Sequence, residues 1–192
     1  SAKQDIWSNW LLKHRFGGDE KQLKSMMDFL FPIRDKVLFH ADIQNDDVLV
    51  DVGSGDGLIS FGALQANSTC KVVFTDISLE LLQKAQNIAE QQNLSDRCQF
   101  VCSAAENLND ILSESANIVT TRSVLIYILP KQQAFNEFYR VLKSGGRLSI
   151  FEPINRFGYP EPDNTLCGFD ITPIAEIAQK VKVTYQKAQP SN

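Results

Sequence analysis

The feature that most constrains this 192-residue chain is a stretch in its first third where an apolar run meets three glycines. Apart from one Asp, Val48–Val52 is apolar, and Gly53, Gly55 and Gly57 follow before a second apolar segment begins at Leu58. A run that is apolar on both faces predicts a buried strand of a parallel sheet. Glycines allow a tight turn and let a ligand approach the backbone. Because the next segment predicts a helix whose free N–H groups point back at the turn, the stretch predicts a nucleotide-type binding loop.

The glycine spacing and the nearby acidic residues indicate the kind of nucleotide. Dinucleotide-binding loops use G-x-G-x-x-G and rest a pyrophosphate on backbone N–H groups, whereas this chain has G-x-G-x-G. Asp51 and Asp56 would repel a pyrophosphate by several kcal/mol at about 4 Å in a partly desolvated cleft. The same carboxylates suit a ligand with a cationic end, such as S-adenosylmethionine, which carries a sulfonium and an ammonium group.

The stretch resembles motif I of the class I S-adenosylmethionine-dependent methyltransferases, in which an acidic residue precedes x-G-x-G-x-G. The resemblance implies a Rossmann-like sheet and a methyl donor, S-adenosyl-L-methionine, that is bound at this loop. The residues it implies for donor binding are Asp51, Gly53, Ser54, Gly55 and Gly57. The alternative is an ordinary glycine turn between a strand and a helix.

The second predicted strand, Lys71–Thr75, leads directly into Asp76. An acidic side chain at the tip of this strand can accept hydrogen bonds from both hydroxyls of a ribose. Because nicotinamide cofactors use the same contact, Asp76 indicates adenosine rather than methyl transfer in particular. We expect Ile77 to pack on the adenine face. The alternative is that Asp76 or Ser78 only caps the helix that follows.

A third strand is predicted to end at Cys102, and a run of small and polar residues follows it. This run resembles the family's segment after the third strand, where a polar or acidic residue and a backbone N–H hold the adenine edge. The resemblance implies contacts from Ala104, Ala105 and Glu106. An Asp is common in the family at the position of Ala104, so we expect Ser103, Glu106 or the backbone to make the polar contact here.

Asn117–Thr121 predicts the fourth strand, and Arg122 opens the loop that leaves it. In a doubly wound sheet the first and fourth strands are neighbours at the point where ligands bind. We therefore expect Arg122 to reach the methionine carboxylate or an anionic group of the substrate. We expect Tyr127, in the same loop, to line the acceptor pocket.

Pro130 predicts the first position of a helix that ends at Gly145–Gly146, and Arg147–Phe151 predicts the fifth strand. The run Phe138–Leu148 resembles the helix-to-strand passage of small-molecule methyltransferases. Three matching segments in the right order extend the resemblance over residues 46–153.

These segments predict an α/β fold with a doubly wound, mainly parallel sheet. We expect residues 1–45 to form an N-terminal helical cap or lid, 46–153 the core that binds S-adenosylmethionine, and 154–192 a loop and helix that cover the substrate or belong to a truncated C-terminal part. No segment fits the sixth and seventh strands of the family's sheet, so the chain is a fragment or its sheet is abbreviated. We favour a fragment, because an uncovered fifth strand leaves an open edge.

Two local predictions concern the N-terminal part. Residues 1–18 predict a short amphipathic helix that packs on the domain or closes over the substrate pocket. Asp19 predicts the cap of the next helix, which Pro32 is expected to break or kink, giving two helices that meet near Phe31.

Charge and composition exclude several classes of protein. A net charge of −4 argues against a general binder of nucleic acid or anionic membranes, because phosphate contacts need clustered Lys and Arg. The longest apolar stretch, Val124–Leu129, is far below the ~18 residues that span a bilayer. The four cysteines form no CxxC pair, which predicts no zinc site, and no secretory signal is visible, so we expect a cytoplasmic protein.

The predicted function is methyl transfer from S-adenosylmethionine to an unidentified small molecule by in-line displacement. Proximity and orientation can supply up to about 7–11 kcal/mol, so the enzyme needs no nucleophile of its own. A general base is needed only if the acceptor must lose a proton, and His14, Tyr127 and Glu152 are equal candidates. The alternatives are a catalytically silent S-adenosylmethionine-binding module that regulates or scaffolds a partner and a nicotinamide-dependent oxidoreductase, which the glycine spacing and Asp51 disfavour. The sequence predicts no oligomeric state.

Overall fold

The computed structural model describes residues 19–153, 164–166 and 169–188. In this part of the chain, helices and strands alternate along most of the sequence. The elements are α1 (Glu20–Ala41), β1 (Val48–Val52), α2 (Leu58–Ala66), β2 (Lys71–Asp76), α3 (Leu79–Gln91), β3 (Cys98–Cys102), β4 (Ala116–Arg122), α4 (Lys131–Val141), β5 (Leu142–Phe151), β6 (Thr165–Leu166), β7 (Phe169–Asp170) and α5 (Ala175–Ala188). Short 3₁₀ turns occur at Ser95–Arg97, Leu125–Tyr127 and Thr172–Ile174.

Strands β1 to β5 form one parallel sheet in the order β3-β2-β1-β4-β5. This confirms the predicted doubly wound α/β fold, with β1 and β4 as neighbours. Because parallel strands all end at the same edge, the loops after β1, β2, β3 and β4 meet there. Among the described residues no sixth or seventh strand joins this sheet, and β6 and β7 pair only with each other.

The sheet buries apolar side chains on both faces, as the double apolar pattern of its strands requires. On one face Leu49 and Phe74 pack with residues of α1, α2 and α3. On the other face Val50 and Val119 pack with Phe138 of α4 and with the segment that follows β3. The two layers fix β1 at the centre of the fold, so the glycine loop after it starts from a rigid base.

Helix α1 is continuous from Glu20 to Ala41, so the prediction that Pro32 divides this stretch into two helices is wrong. Pro32 is exposed, and water can hydrate the carbonyl that loses its N–H partner on that side of the helix. The predicted cap is confirmed, because the Asp19 carboxylate accepts hydrogen bonds from the N–H groups of Lys21 and Gln22. Buried residues such as Val37 hold α1 in the core layer beside α2.

The passage from α4 to β5 also differs from the prediction. The helix ends at Val141 rather than at Gly145–Gly146, and Leu142 is already extended and pairs with Ala116 of β4. The register then shifts, so residues 143–146 bulge out before regular pairing resumes at Arg147. The glycines therefore serve a bulge inside β5, and this strand is longer than predicted.

Several predictions concern residues at the two ends of the chain. The part predicted as a loop and helix after residue 153 contains the short pair β6 and β7, and its helix begins at Ala175 after a 3₁₀ turn. The helix or lid predicted for residues 1–18, with His14, lies outside the described residues. The division into 1–45, 46–153 and 154–192 stays a prediction.

Candidate functional site

A cavity of about 410 Å³ lies at the carboxyl ends of the strands. This volume is within the range of small-molecule sites, and its place in the fold is where doubly wound sheets bind ligands. Its lining residues are Gly53, Asp76, Ile77, Ser103, Ala104, Ala105, Glu106, Arg122, Ser123, Val124, Tyr127 and Ile128. The structure thus brings together most of the site residues predicted from sequence. The predicted residues outside this lining are Asp51, Ser54, Gly55 and Gly57.

The glycine loop has the backbone conformation that its sequence predicts. Gly53 has φ +68°, and a Cβ at this position would collide with the side chain of Val124. Gly55 also lies in the left-handed region, at φ +55°, but a Cβ there would meet only open space. Position 53 therefore requires glycine for two reasons, its backbone angle and the close approach of the loop that follows β4.

Asp76 anchors the glycine loop from the tip of β2. Its Oδ2 accepts a hydrogen bond from the N–H of Gly55 at 2.9 Å, and its Oδ1 accepts one from the N–H of Ser78 at 2.8 Å. Ser78 caps α3 by accepting from the N–H of Leu81, so Asp76 is not the cap. Since each carboxylate oxygen has further lone pairs, Asp76 can still accept bonds from a ligand in the cavity.

Asp51 lies in the core beneath the loop, with 2 % of its surface exposed. Its Oδ2 accepts a 2.6 Å bond from the Ser60 hydroxyl, and its Oδ1 accepts a 2.8 Å bond from Thr120. Burial raises the pKa of Asp51 to about 6, although these two bonds and the nearby charge of Arg122 lower it. The carboxylate thus ties β1 to α2 and β4, and its predicted contact with a donor stays a prediction.

The loop after β3, which carries Ala104, Ala105 and Glu106, is held by helix α4. The N–H of Leu108 donates to Glu137 Oε2 at 2.7 Å, and Arg140 donates to Glu137 Oε1 at 2.8 Å and to the Leu108 carbonyl at 2.8 Å. The hydrogen bond from Arg140 lowers the pKa of Glu137. Sequence reasoning missed this pair. Its i, i+3 spacing was visible, but its backbone partner 29 residues earlier was not.

The loop after β4 forms the opposite wall of the cavity and is fixed to β5. The N–H of Ser123 donates to the Phe151 carbonyl at 2.9 Å, and Ser123 has φ +59°, an uncommon angle for this residue type. Arg122 lines the cavity, and its guanidinium makes no hydrogen bond or salt bridge within the described ranges, although its charge is close enough to lower the pKa of Asp51. Tyr127 is 57 % exposed at the rim of the cavity.

Buried side-chain oxygens without a hydrogen-bond partner cluster at this edge of the sheet. Within the part of the chain that the structure describes, they are Ser54 Oγ, Ser103 Oγ and Glu152 Oε2. These residues follow β1, β3 and β5 respectively. Because buried polar atoms are nearly always bonded, each of these oxygens is expected to receive a donor from a bound water molecule or a ligand.

The described residues contain neither a cluster of metal ligands nor a membrane-spanning helix. No group of three or more His, Cys, Asp or Glu side chains there could hold a metal ion. No described helix combines the length and the apolar character needed to cross a bilayer.

The family model described as "Methyltransferase domain" matches residues 43–180, which include the whole sheet and the cavity. The chain belongs to this methyltransferase domain family. Among curated relatives, it is 27 % identical over 161 residues to malonyl-[acyl-carrier protein] O-methyltransferase of Marinomonas sp., covering 83 % of the chain and 57 % of the relative. It is 30 % identical over 153 residues to a ubiquinone/menaquinone biosynthesis C-methyltransferase of Cereibacter sphaeroides, covering 79 % and 55 %. The chain therefore spans little more than half the length of these two relatives.

Solved structures support the same fold. Geranyl diphosphate methyltransferase in complex with S-adenosylmethionine has a TM-score of 0.62 at 19 % identity, over 77 % of this chain and 57 % of that one. The [4+2]-cyclase SpnF has a TM-score of 0.59 at 25 % identity, over 63 % and 44 %. The methyltransferase family inferred from the sequence motifs is thus confirmed. Because a cyclase shares the fold, the reaction has to be argued from the site.

Proposed function

We propose that this domain binds S-adenosyl-L-methionine in the cavity and transfers its methyl group to a small-molecule acceptor. The observation that carries the proposal is the position of Asp76, a carboxylate at the cavity that is fixed by two backbone N–H groups and has lone pairs to spare. Ribose hydroxyls are the donors that such a carboxylate receives in nucleotide-binding sheets. The family match and the complex of geranyl diphosphate methyltransferase with the same donor support this choice.

The walls beside Asp76 fit an adenine ring. Ile77 is 78 % exposed and lines the cavity, and the small side chains of Ala104 and Ala105 let a flat ring lie close to the backbone. Ser103 Oγ is buried without a partner and can bond the polar edge of the ring, as can the carboxylate of Glu106. An apolar slot with polar atoms at its edge is what a purine requires.

The methionine end of the donor carries a positively charged ammonium group and a negatively charged carboxylate, and the site offers a partner for the carboxylate. Gly53 lets the donor approach the backbone closely, and the guanidinium of Arg122 can pair with the methionine carboxylate. The remaining donor-binding residues that we propose from the motif are Asp51, Ser54, Gly55 and Gly57. None of these groups requires the phosphate of a dinucleotide cofactor as its binding partner.

When bound, S-adenosylmethionine supplies an electrophilic methyl group on a sulfonium. The residues of this chain then need to orient the acceptor in line with that methyl group and to exclude water. The relatives include methyltransferases named for malonyl-[acyl-carrier protein], for tRNA 5-carboxymethoxyuridine and for ubiquinone/menaquinone biosynthesis, so they support methyl transfer without fixing the acceptor. We favour a small molecule because the net charge is −4, and we add a cytoplasmic location because the described cysteines are unpaired.

Calorimetric titration with S-adenosylhomocysteine, NAD and NADP tests the ligand class. We expect only S-adenosylhomocysteine to bind, and binding of NAD in its place would overturn the proposal. Incubation with methyl-labelled S-adenosylmethionine and a pool of metabolites then tests the reaction. A labelled product is expected, whereas donor binding without product from any pool would favour a silent binding module.

A further inference from the structure

Glu152 is the first residue after β5, and only one of its two carboxylate oxygens is used within the protein. Oε1 accepts two hydrogen bonds, from the hydroxyl of Thr121 and from the N–H of Val124, both at 2.9 Å. Oε2 is buried and has no partner. The two bonds fix the carboxylate against the loop that forms one wall of the cavity, and they leave a single oxygen for another group.

An unpartnered carboxylate oxygen is costly in a protein interior, because the group gives up its bonds to water and receives nothing in return. A side chain of this kind persists where a ligand supplies the missing donor or where a water molecule fills the position. Glu152 is not among the residues that line the cavity, but it is hydrogen-bonded to Val124, which is. Three other carboxylates near the cavity differ from it. Both oxygens of Asp51 and of Asp76 accept hydrogen bonds, and Glu106 lies after β3, at the far end of the sheet.

The order of the strands places Glu152 beyond the donor. Asp76, the proposed ribose contact, lies on β2, and β5 is three strands further along the sheet. At about 4.8 Å per strand, this is a separation of roughly 14 Å. The sulfonium sulfur is bonded to the 5′ carbon of the ribose and has to lie near the ribose, over β1 or β4. A group over β5 is therefore on the side from which an acceptor approaches.

We propose that Glu152 Oε2 takes the proton of the acceptor, and that the acceptor is a hydroxyl or phenol which still carries that proton at neutral pH. This rests on the proposed function. In the step, the acceptor oxygen forms a bond to the methyl carbon while the carbon–sulfur bond breaks. The bonding pair stays on sulfur, and the O–H proton passes to Oε2. The sulfonium charge is neutralised and Glu152 becomes a neutral carboxylic acid.

The test uses Glu152→Gln, because the amide oxygen can keep the bonds from Thr121 and Val124 while the other position becomes an NH₂ group. Methyl-labelled S-adenosylmethionine is offered with a panel of phenols, alcohols and carboxylic acids. We expect the wild type to label a phenol or an alcohol, and Glu152→Gln to lower kcat/KM for it about 10²–10⁴-fold. The affinity for S-adenosylhomocysteine should change less than twofold.

A pH profile separates proton transfer from a structural role. The wild-type kcat/KM should fall on the acid side of its pH profile, and Glu152→Gln should lack this fall. Thr121→Val is the matched control, because it removes one bond to Oε1 and leaves Oε2 in place. It should lower kcat/KM less than tenfold and keep the acid limb.

Four outcomes would overturn the proposal. Full activity of Glu152→Gln on a phenol or alcohol means that Oε2 holds a structural water only. Product from carboxylic acids alone contradicts the acceptor class, because these are already ionised at neutral pH. Loss of S-adenosylhomocysteine binding in the variant places Glu152 in the donor site. Donor binding by the wild type without product from the panel contradicts the acceptor class proposed here, whereas the incubation with a pool of metabolites tests methyl transfer itself. Failure of the wild type to bind S-adenosylhomocysteine is different, because it contradicts the proposed function itself.

Discussion

The two sides of the cavity are built in different ways. The proposed donor half consists of Gly53–Gly57, Asp76–Ile77 and Ser103–Glu106, and each of these lies at or directly after the end of its strand. The proposed acceptor half consists of Ser123–Ile128 and the adjoining Glu152, and its position depends on the contact between Val124 and Glu152, which are 28 residues apart. Tertiary contacts hold both halves, as the bond from Gly55 to Asp76 shows for the donor half. The residues of the donor half, however, also form short local motifs that the sequence displays, whereas those of the acceptor half do not. A shared donor with varied acceptors fits this difference, because tertiary contacts can change without disturbing the motifs.

The largest effect is expected where the two halves touch, at Gly53 and Val124. Gly53→Ala should lower the free energy of unfolding by about 2–5 kcal/mol, because it combines strain at positive φ with a collision against Val124. Gly55→Ala is the matched control, with the same strain but no collision, and should cost about 1–2 kcal/mol. Urea unfolding measures both. Equal losses of unfolding free energy in the two variants would show that Gly53 and Val124 are not in close contact. Adding Val124→Ala to Gly53→Ala should recover part of the extra loss that Gly53→Ala shows over Gly55→Ala.

A smaller change in the free energy of unfolding, which depends on pH, is expected from Asp51 beneath the donor half. Burial raises the pKa of Asp51 from 3.8 to about 6, so the folded state holds this proton more tightly than the unfolded chain. Stability is therefore highest below the unfolded pKa and falls as pH rises through the folded pKa. The unfolding free energy of the wild type minus that of Asp51→Asn should fall by up to about 3 kcal/mol between pH 4 and 7. Carboxylates with lowered pKa, such as Glu137, are in both proteins and cancel, and a flat difference would contradict the assignment.

The smallest expected effect is a change in ligand affinity, and it decides whether Arg122 belongs to the donor half or to the acceptor half. If its guanidinium pairs with the methionine carboxylate, Arg122→Gln should weaken S-adenosylhomocysteine binding about tenfold, or about 1.4 kcal/mol. Binding of 5′-methylthioadenosine, which lacks the amino-acid part, should not change. Calorimetry with both ligands makes the comparison within one variant. Unchanged affinity for both would move Arg122 into the acceptor half, as a contact for an anionic group of the substrate.

The sequence predicted the fold well, and most of the residues it proposed for donor binding line the cavity, because these signals are local. The strand of Val48–Val52, its glycine loop and the acidic tip of β2 each depend on neighbouring residues, and the strand order follows from the doubly wound pattern. Two errors came from treating local signals as decisive. Packing keeps α1 continuous through Pro32, and Gly145–Gly146 forms a bulge instead of ending a helix.

The acceptor half and the supports of the site were harder to predict. Glu137 and Arg140 hold the loop after β3 through backbone groups of a distant segment, and no periodicity indicates this contact. Glu152 was one of three equal candidates in the sequence. What distinguishes it is the pairing of one oxygen with Thr121 and Val124 while the other has no partner. Such information exists only after the strands have been brought together.

The central claim is that Asp76 receives the ribose of an adenosine-based methyl donor, and the affinity of Asp76→Ala for S-adenosylhomocysteine tests it most directly. Loss of the charge-assisted hydrogen bonds should weaken binding by about 1–3 kcal/mol in calorimetry. Ser78→Ala is the control, because it removes the cap of α3 beside Asp76 without altering the cavity lining, and its affinity should match that of the wild type. Unchanged binding by Asp76→Ala would contradict the account.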